Sequence, residues 1–143
     1  MTIASVLRHK GHQVITVEPT ETIAQVASVL AARHIGAVLV MDRAEQMLGV
    51  LSERDIVASL AVHGAATLSM TAGQLMTQPV HVVQPHATVA EAMCVMTEGR
   101  FRHLPVMDNG ALVGLISIGD IVKARIMEHE NEVDNLRAYV AGN

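Results

Sequence analysis

Apolar positions run along this chain in two alternating rhythms. A β-branched run at residues 14–17 stops at Pro19; behind Thr22, Ile23, Val26, Ala27 and Leu30 then fall on one stripe of helical period. That pattern predicts a short extended segment followed by a capped amphipathic helix. Residues 38–41 and 48–51 are continuous apolar runs on either side of a polar turn at 42–46, which predicts two strands, and Ser52 opens a further helix. The predicted order is β-α-β-β-α. The order then returns: residues 80–83, a helix behind Thr88 with Val89, Ala92, Met93 and Met96 on its stripe, strands at 104–107 and 112–116, and a helix from Ser117.

The return is an internal repeat. At a shift of 66, Val14, Val17, Pro19, Thr22, Ala24, Val29, Val40, Met41 and Asp42 meet identical residues at Val80, Val83, Pro85, Thr88, Ala90, Val95, Val106, Met107 and Asp108. One residue is lost in the next turn. At a shift of 65, Gly49, Ser52, Asp55, Ile56 and Val57 meet Gly114, Ser117, Asp120, Ile121 and Val122. A unit of about 60 residues buries only ~60% of its unfolded surface and is marginal alone. The expected fold class is therefore α+β: two pseudo-two-fold-related β-α-β-β-α units packed sheet to sheet, with a long C-terminal helix. Expected boundaries are 1–63 for the first unit with its N-terminal segment, 64–78 for a linker, 79–126 for the second unit and 127–143 for the helical extension. Such a pair is expected to form two equivalent clefts, where small ligands usually bind. In the last helix Val122, Ile126, His129, Val133, Leu136 and Val140 alternate by four and three. That spacing suits pairing with another helix as well as packing on the chain's own domain.

Composition narrows the function. Of 143 residues 50% are hydrophobic and 17% charged, which argues against disorder. The net charge of −4 has the wrong sign for a general nucleic-acid binder. Phe101 and Tyr139 are the only aromatics, so base-stacking platforms are missing, and nine methionines must help fill the core. No apolar run reaches the ~18 residues of a membrane span, and no export signal is recognisable. Cys94 stands alone, expected as a buried thiol in a reducing cytoplasm. His9/His12 and His81/His86 make no zinc signature, and no motif of catalysis or phosphate-loop binding is present. Neither a metal nor a catalytic cofactor is expected.

Three segments carry candidate chemistry. Ser52-Glu53-Arg54-Asp55 and Ser117-Ile118-Gly119-Asp120 each follow a strand and open a helix. Each reads first as a capping box, and alternatively as a carboxylate placed to accept the two hydroxyls of a ribose beside a helix N-terminus that favours phosphate. Arg100-Phe101-Arg102-His103-Leu104-Pro105-Val106 enters a strand with a basic edge, either solvated or anion-binding; its counterpart, His34-Ile35-Gly36-Ala37, is far less basic. Arg54 stands where the second copy has Gly119, so the two clefts are expected to differ in affinity. Arg8-His9-Lys10-Gly11-His12 is a basic loop, read as solvated or as reaching a phosphate.

The tandem β-α-β-β-α units, the two Gly-to-Asp strings (residues 49–55 and 114–120) and the Arg-His-Leu-Pro-Val string (residues 102–106) resemble cystathionine-β-synthase (CBS) domains arranged as a stand-alone pair, a Bateman module. The resemblance implies a non-catalytic regulatory module that binds AMP, ADP, ATP, NAD(H) or S-adenosylmethionine. By similarity, Asp55 and Asp120 grip ribose, with Ser52 and Ser117 near the sugar-phosphate. Adenine lies against Thr16, Val17, Ala37 and Val38 in one site and against Val82, Val83, His103 and Leu104 in the other. Arg54, Arg100 and Arg102 meet phosphates. The family habit implies a homodimer, with a regulated protein as a further partner and no role for nucleic acid or membrane. A ligand-free scaffold acting through the last helix is the competing reading.

Overall fold

The structure, a computed structural model, describes residues 1–142. It divides into two compact units: residues 14–81, and residues 1–13 with the chain from residue 82 onward. In the 14–81 unit, β1 (Thr16–Val17), α2 (Ile23–Arg33), β2 (Ala37–Met41), β3 (Met47–Ser52) and α3 (Glu53–His63) follow α1 (Ile3–Lys10) in the chain; a 3₁₀ segment (Gly64–Ser69) and α4 (Ala72–Leu75) complete it. The other unit holds α1, α5 (Val89–Gly99), β4 (His103–Asp108), β5 (Ala111–Ser117) and α6 (Ile118–Ala141).

The two units repeat one another in element order and strand pairing. In the first, β1 runs parallel to β2 and β2 antiparallel to β3, with Ala37 opposite Ser52. In the second, β4 and β5 pair antiparallel with His103 opposite Ser117, and a single parallel bridge joins Val83 to Val106. The segment at 80–83, expected as a strand, is thus reduced to one bridge. Thr22 and Thr88 cap α2 and α5 through full capping boxes with Gln25 and Glu91. Both helices end on a left-handed residue, His34 (φ 54°) and Arg100 (φ 56°). The next N–H then closes back five residues, Ile35 onto the Leu30 carbonyl and Phe101 onto that of Met96. The step from 66 to 65 in the repeat lies in the hairpin. The second copy turns on Asn109-Gly110, both at positive φ, as a two-residue loop requires. The first takes a longer loop in which the Asp42 side chain accepts from the Ala44 and Gln46 N–H groups.

Each unit has its own core. Val17, Ile23, Val26, Leu30, Val38, Val40, Leu51 and Ile56 form one; Ile3, Leu7, Val89, Met96, Leu104, Val106, Ile116 and Ile121 are among those that form the other. The N-terminal segment therefore does not belong with the first repeat, as the sequence suggested. The N–H groups of Ile3 and Ala4 donate to the carbonyls of Ala87 and Pro85 of the second repeat. The presumed linker makes the same bonds in the first, from Ala72 to Glu21 and from Gly73 to Pro19. Each repeat is thus completed by the helix that precedes the other. A glycine receives each helix: a Cβ on Gly114 would lie 2.7 Å from the Leu7 side chain, and one on Gly49 2.7 Å from that of Met76.

Two expectations for side chains change. Cys94 is exposed, because the buried stripe of α5 is Val89, Ala92 and Met96 and residue 94 points off it. On α6 only Ile121 and Ala124 are buried. Val122, Ile126, Leu136 and Val140 are 51%, 54%, 65% and 69% exposed, so the stripe does not pack on the chain's own domain.

Leu7 is 1% exposed and has little room to yield, so Gly114→Ala is expected to destabilise the second unit by about 1–3 kcal/mol in urea unfolding. Leu7→Ala in that background should show a favourable coupling, as a shared steric contact requires. Additive losses would place the strain elsewhere.

Candidate functional site

Each unit carries one acid at the third position of the helix that follows its last strand. The strand ends at a serine whose extended backbone lets its hydroxyl accept from the N–H three residues on: Asp55 N–H to Ser52 Oγ and Asp120 N–H to Ser117 Oγ, both 3.2 Å. The carboxylates reach back. Asp55 Oδ2 accepts from the Ser52 N–H at 3.0 Å and its hydroxyl at 3.1 Å; Asp120 Oδ2 accepts from the Ser117 N–H at 2.7 Å. The capping-box reading is therefore realised in both copies.

Each carboxylate also takes a bond from outside its box, and here the units diverge. In the first, Thr77 pairs with Val50 through both backbone groups and donates its hydroxyl to Asp55 Oδ1 at 3.3 Å. In the second, Lys10 Nζ donates to the Leu115 carbonyl and to Asp120 Oδ2, each at 2.6 Å. Leu115 is the repeat partner of Val50. One residue thus ties the same strand carbonyl to the same acid in both units, neutral in one and charged in the other. His12 adds a second tie, its Nδ1–H donating to the Val113 carbonyl at 2.9 Å. Residues 8–10, expected as a loop, form the last turn of α1, and Lys10 and His12 fasten this basic segment to β5.

Burial pushes the Asp120 carboxyl up, but the Lys10 ammonium and the Ser117 donors outweigh it and hold the group below its ordinary value of 3.8.

The remaining candidates fall into two groups. Val17, Ala37, Val38, Val83 and Leu104 are buried, and Val38 and Leu104 have no accessible surface to present to a ligand. Thr16 and Val82 alternate outward from Val17 and Val83 and are exposed. His103 is half-buried at the start of β4, opposite Ser117. Arg54 is exposed in the first turn of α3, and Arg100 is exposed at the end of α5. Arg102 is exposed too, but its carbonyl accepts from the Ile118 N–H at 2.8 Å, so it sits at the opening of α6. Gly36 makes the matching bond to the Glu53 N–H in the first unit. Sequence reasoning missed Thr77 as a site residue and left Lys10 within an undifferentiated basic loop. Neither lies inside the aligned part of the repeat, so no register marked them. Among the described residues, no three His, Cys, Asp or Glu side chains come together to hold a metal ion.

The CBS domain profile matches this chain twice, at residues 5–62 and 72–127. The chain belongs to the CBS-domain family. Tandem CBS domains are generally regulatory modules that bind adenosine ligands. The mitochondrial CBS domain-containing protein CBSX3 of Arabidopsis thaliana is 32% identical over 99% of this chain and 72% of its own length. The CBS-domain containing protein ATU1752 of Agrobacterium tumefaciens superposes with a TM-score of 0.85 at 45% identity, covering 87% of this chain and 99% of that one. The CBS domain protein PAE2072 of Pyrobaculum aerophilum, solved in complex with AMP, superposes at 0.73 with 28% identity over 84% of this chain and 89% of its own. In this CBS pair, the two Gly-to-Asp strings are the paired strand-to-helix corners just described.

The depressed Asp120 carboxyl stabilises the folded state above its unfolded value, and this contribution is lost as pH falls through the lower folded value. The pair is a third or less exposed at either end, so after solvent screening its worth is about 1 kcal/mol. The stability gap between wild type and Lys10→Met is expected to be full at pH 6 and to close as pH falls below 3.8. A gap independent of pH in urea titrations would mean that Lys10 stabilises by packing alone.

Proposed function

We propose that this CBS pair is a non-catalytic sensor of adenosine nucleotides. The observation that carries the reading is the duplicated acid: the same carboxylate, at the same strand-to-helix corner of both units, partly exposed and not consumed by its capping box. A relative that holds AMP supports the choice of ligand class. Asp55 and Asp120 would accept the ribose hydroxyls. Ser52 and Ser117 lie beside the sugar-phosphate, Thr16, Val82, Ala37 and His103 line the base, and Arg54, Arg100 and Arg102 serve the phosphates. AMP is the first ligand to test, with ADP, ATP, NAD(H) and S-adenosylmethionine as alternatives of the same class. An exposed lone thiol suits a reducing compartment such as the cytoplasm.

Binding acts on regulation by preferring one conformational state. AMP at 100 times its dissociation constant adds ~2.7 kcal/mol of stability, read as a rise in melting temperature. Asp120→Ala removes two or three charge-assisted bonds and is expected to weaken one of two calorimetrically unequal sites roughly ten- to a thousandfold. Asp55→Ala should act on the other. Unchanged affinity in a folded Asp120→Asn protein, which keeps an acceptor for the Ser117 N–H, would defeat the assignment.

A second reading, a scaffold acting through self-association, has its own observation in the exposed stripe of α6. We propose that this stripe pairs two copies of the chain. Light scattering at micromolar concentration is expected to give a homodimer. Ile126→Glu with Leu136→Glu should give a monomer with unchanged helix content. A monomeric wild type would remove the stripe's proposed partner.

A further inference from the structure

We infer that Lys10 makes the second unit's site selective for phosphorylated nucleosides, by surrendering Asp120 to the ribose and taking the ligand's phosphate in exchange. The inference rests on the reading of Asp120 as the ribose acceptor and adds what decides between ligands there. Asp120 Oδ2 already accepts from Lys10 at 2.6 Å and from the Ser117 N–H at 2.7 Å, so a ribose that places one hydroxyl on each carboxylate oxygen competes with the ammonium for Oδ2. In that mode the sugar displaces Lys10. The Lys10 side chain is about one-third exposed and its remaining partner is a carbonyl, so an anion beside it favours the exchange.

The place for that anion adjoins the acid. A cavity of about 170 Å³ lies between α1 and α6; His9, Lys10, Lys123 and Asp120 are its charged or titratable lining, and the rest is Val6, Ala124 and two methionines. It falls below the ~300 Å³ at which pockets begin to hold a whole drug-sized ligand. A phosphate fits its size, and two lysines fit its charge. A nucleotide supplies the phosphate to Lys10 as its ribose takes Asp120. An unphosphorylated nucleoside strips Lys10 of its carboxylate and returns nothing. The first unit sets no such condition. There the strand carbonyl and the acid are joined by Thr77, whose hydroxyl can turn away without leaving a charge unpaired.

The test isolates the second site in an Asp55→Ala background and titrates AMP and adenosine in parallel by calorimetry. AMP is expected to bind about tenfold or more tightly than adenosine, the worth of one charge-assisted bond. Lys10→Met should collapse the ratio to within about threefold, weakening AMP while leaving adenosine equal or tighter. A loss of packing alone would weaken both ligands together, and that result, like an unchanged ratio, overturns the role of Lys10. Lys10→Gln, which keeps a donor for the Leu115 carbonyl, serves if the methionine variant fails to fold, with the same outcomes. Adding Asp120→Asn separates the two claims. If it abolishes binding of both ligands while the Lys10 variants keep the ratio, only the exchange falls. If it changes neither affinity, the ribose reading falls and the exchange with it.

Discussion

The capping box at the end of the last strand governs the rest of the molecule. An extended serine must satisfy the first free N–H groups of the helix it starts, and an acid three residues on must satisfy the serine's own N–H. That reciprocal demand fixes the carboxylate in place at the mouth of a helix whose dipole favours negative charge. Stability and the proposed recognition therefore draw on one group. The box immobilises Asp55 and Asp120, and whatever else reaches those oxygens sets the character of each site.

Duplication supplies two such corners, and their surroundings have diverged through the segments outside the aligned repeat. Thr77 and Lys10 do the same mechanical work, joining a strand carbonyl to the acid, yet one brings a dipole and the other a full charge. The arginines differ likewise: Arg54 sits within the corner of the first unit, whereas Arg102 reaches the second from just before β4. Two corners built on one plan thereby acquire different electrostatics without any change in the fold that holds them.

Much of this was legible in the chain. The Thr22 and Thr88 caps, the stripes of α2 and α5, the hairpins and the serine–aspartate corners depend on interactions three or four residues apart, and each residue type names its own role. The tandem arrangement followed from register. Cys94 was misjudged because apolar neighbours on a helix say little about which way a single position points when the stripe is only three residues deep. The strand at 80–83 was overestimated because β-branched residues suit any extended edge, paired or not.

The sequence by itself determined the repeated β-α-β-β-α order, the caps that start its helices and the identity of the acid in each corner, since these are local demands of backbone hydrogen bonding and period. Only the tertiary structure decided that α1 completes the second repeat and α4 the first, because Gly49 and Gly114 are equally bare and neither announces which helix will cover it. It alone brought Lys10 onto Asp120, across 110 positions of chain. No periodicity links residues that far apart; their meeting follows from burying Ile3 and Leu7, which carry the lysine to the acid as a consequence of packing.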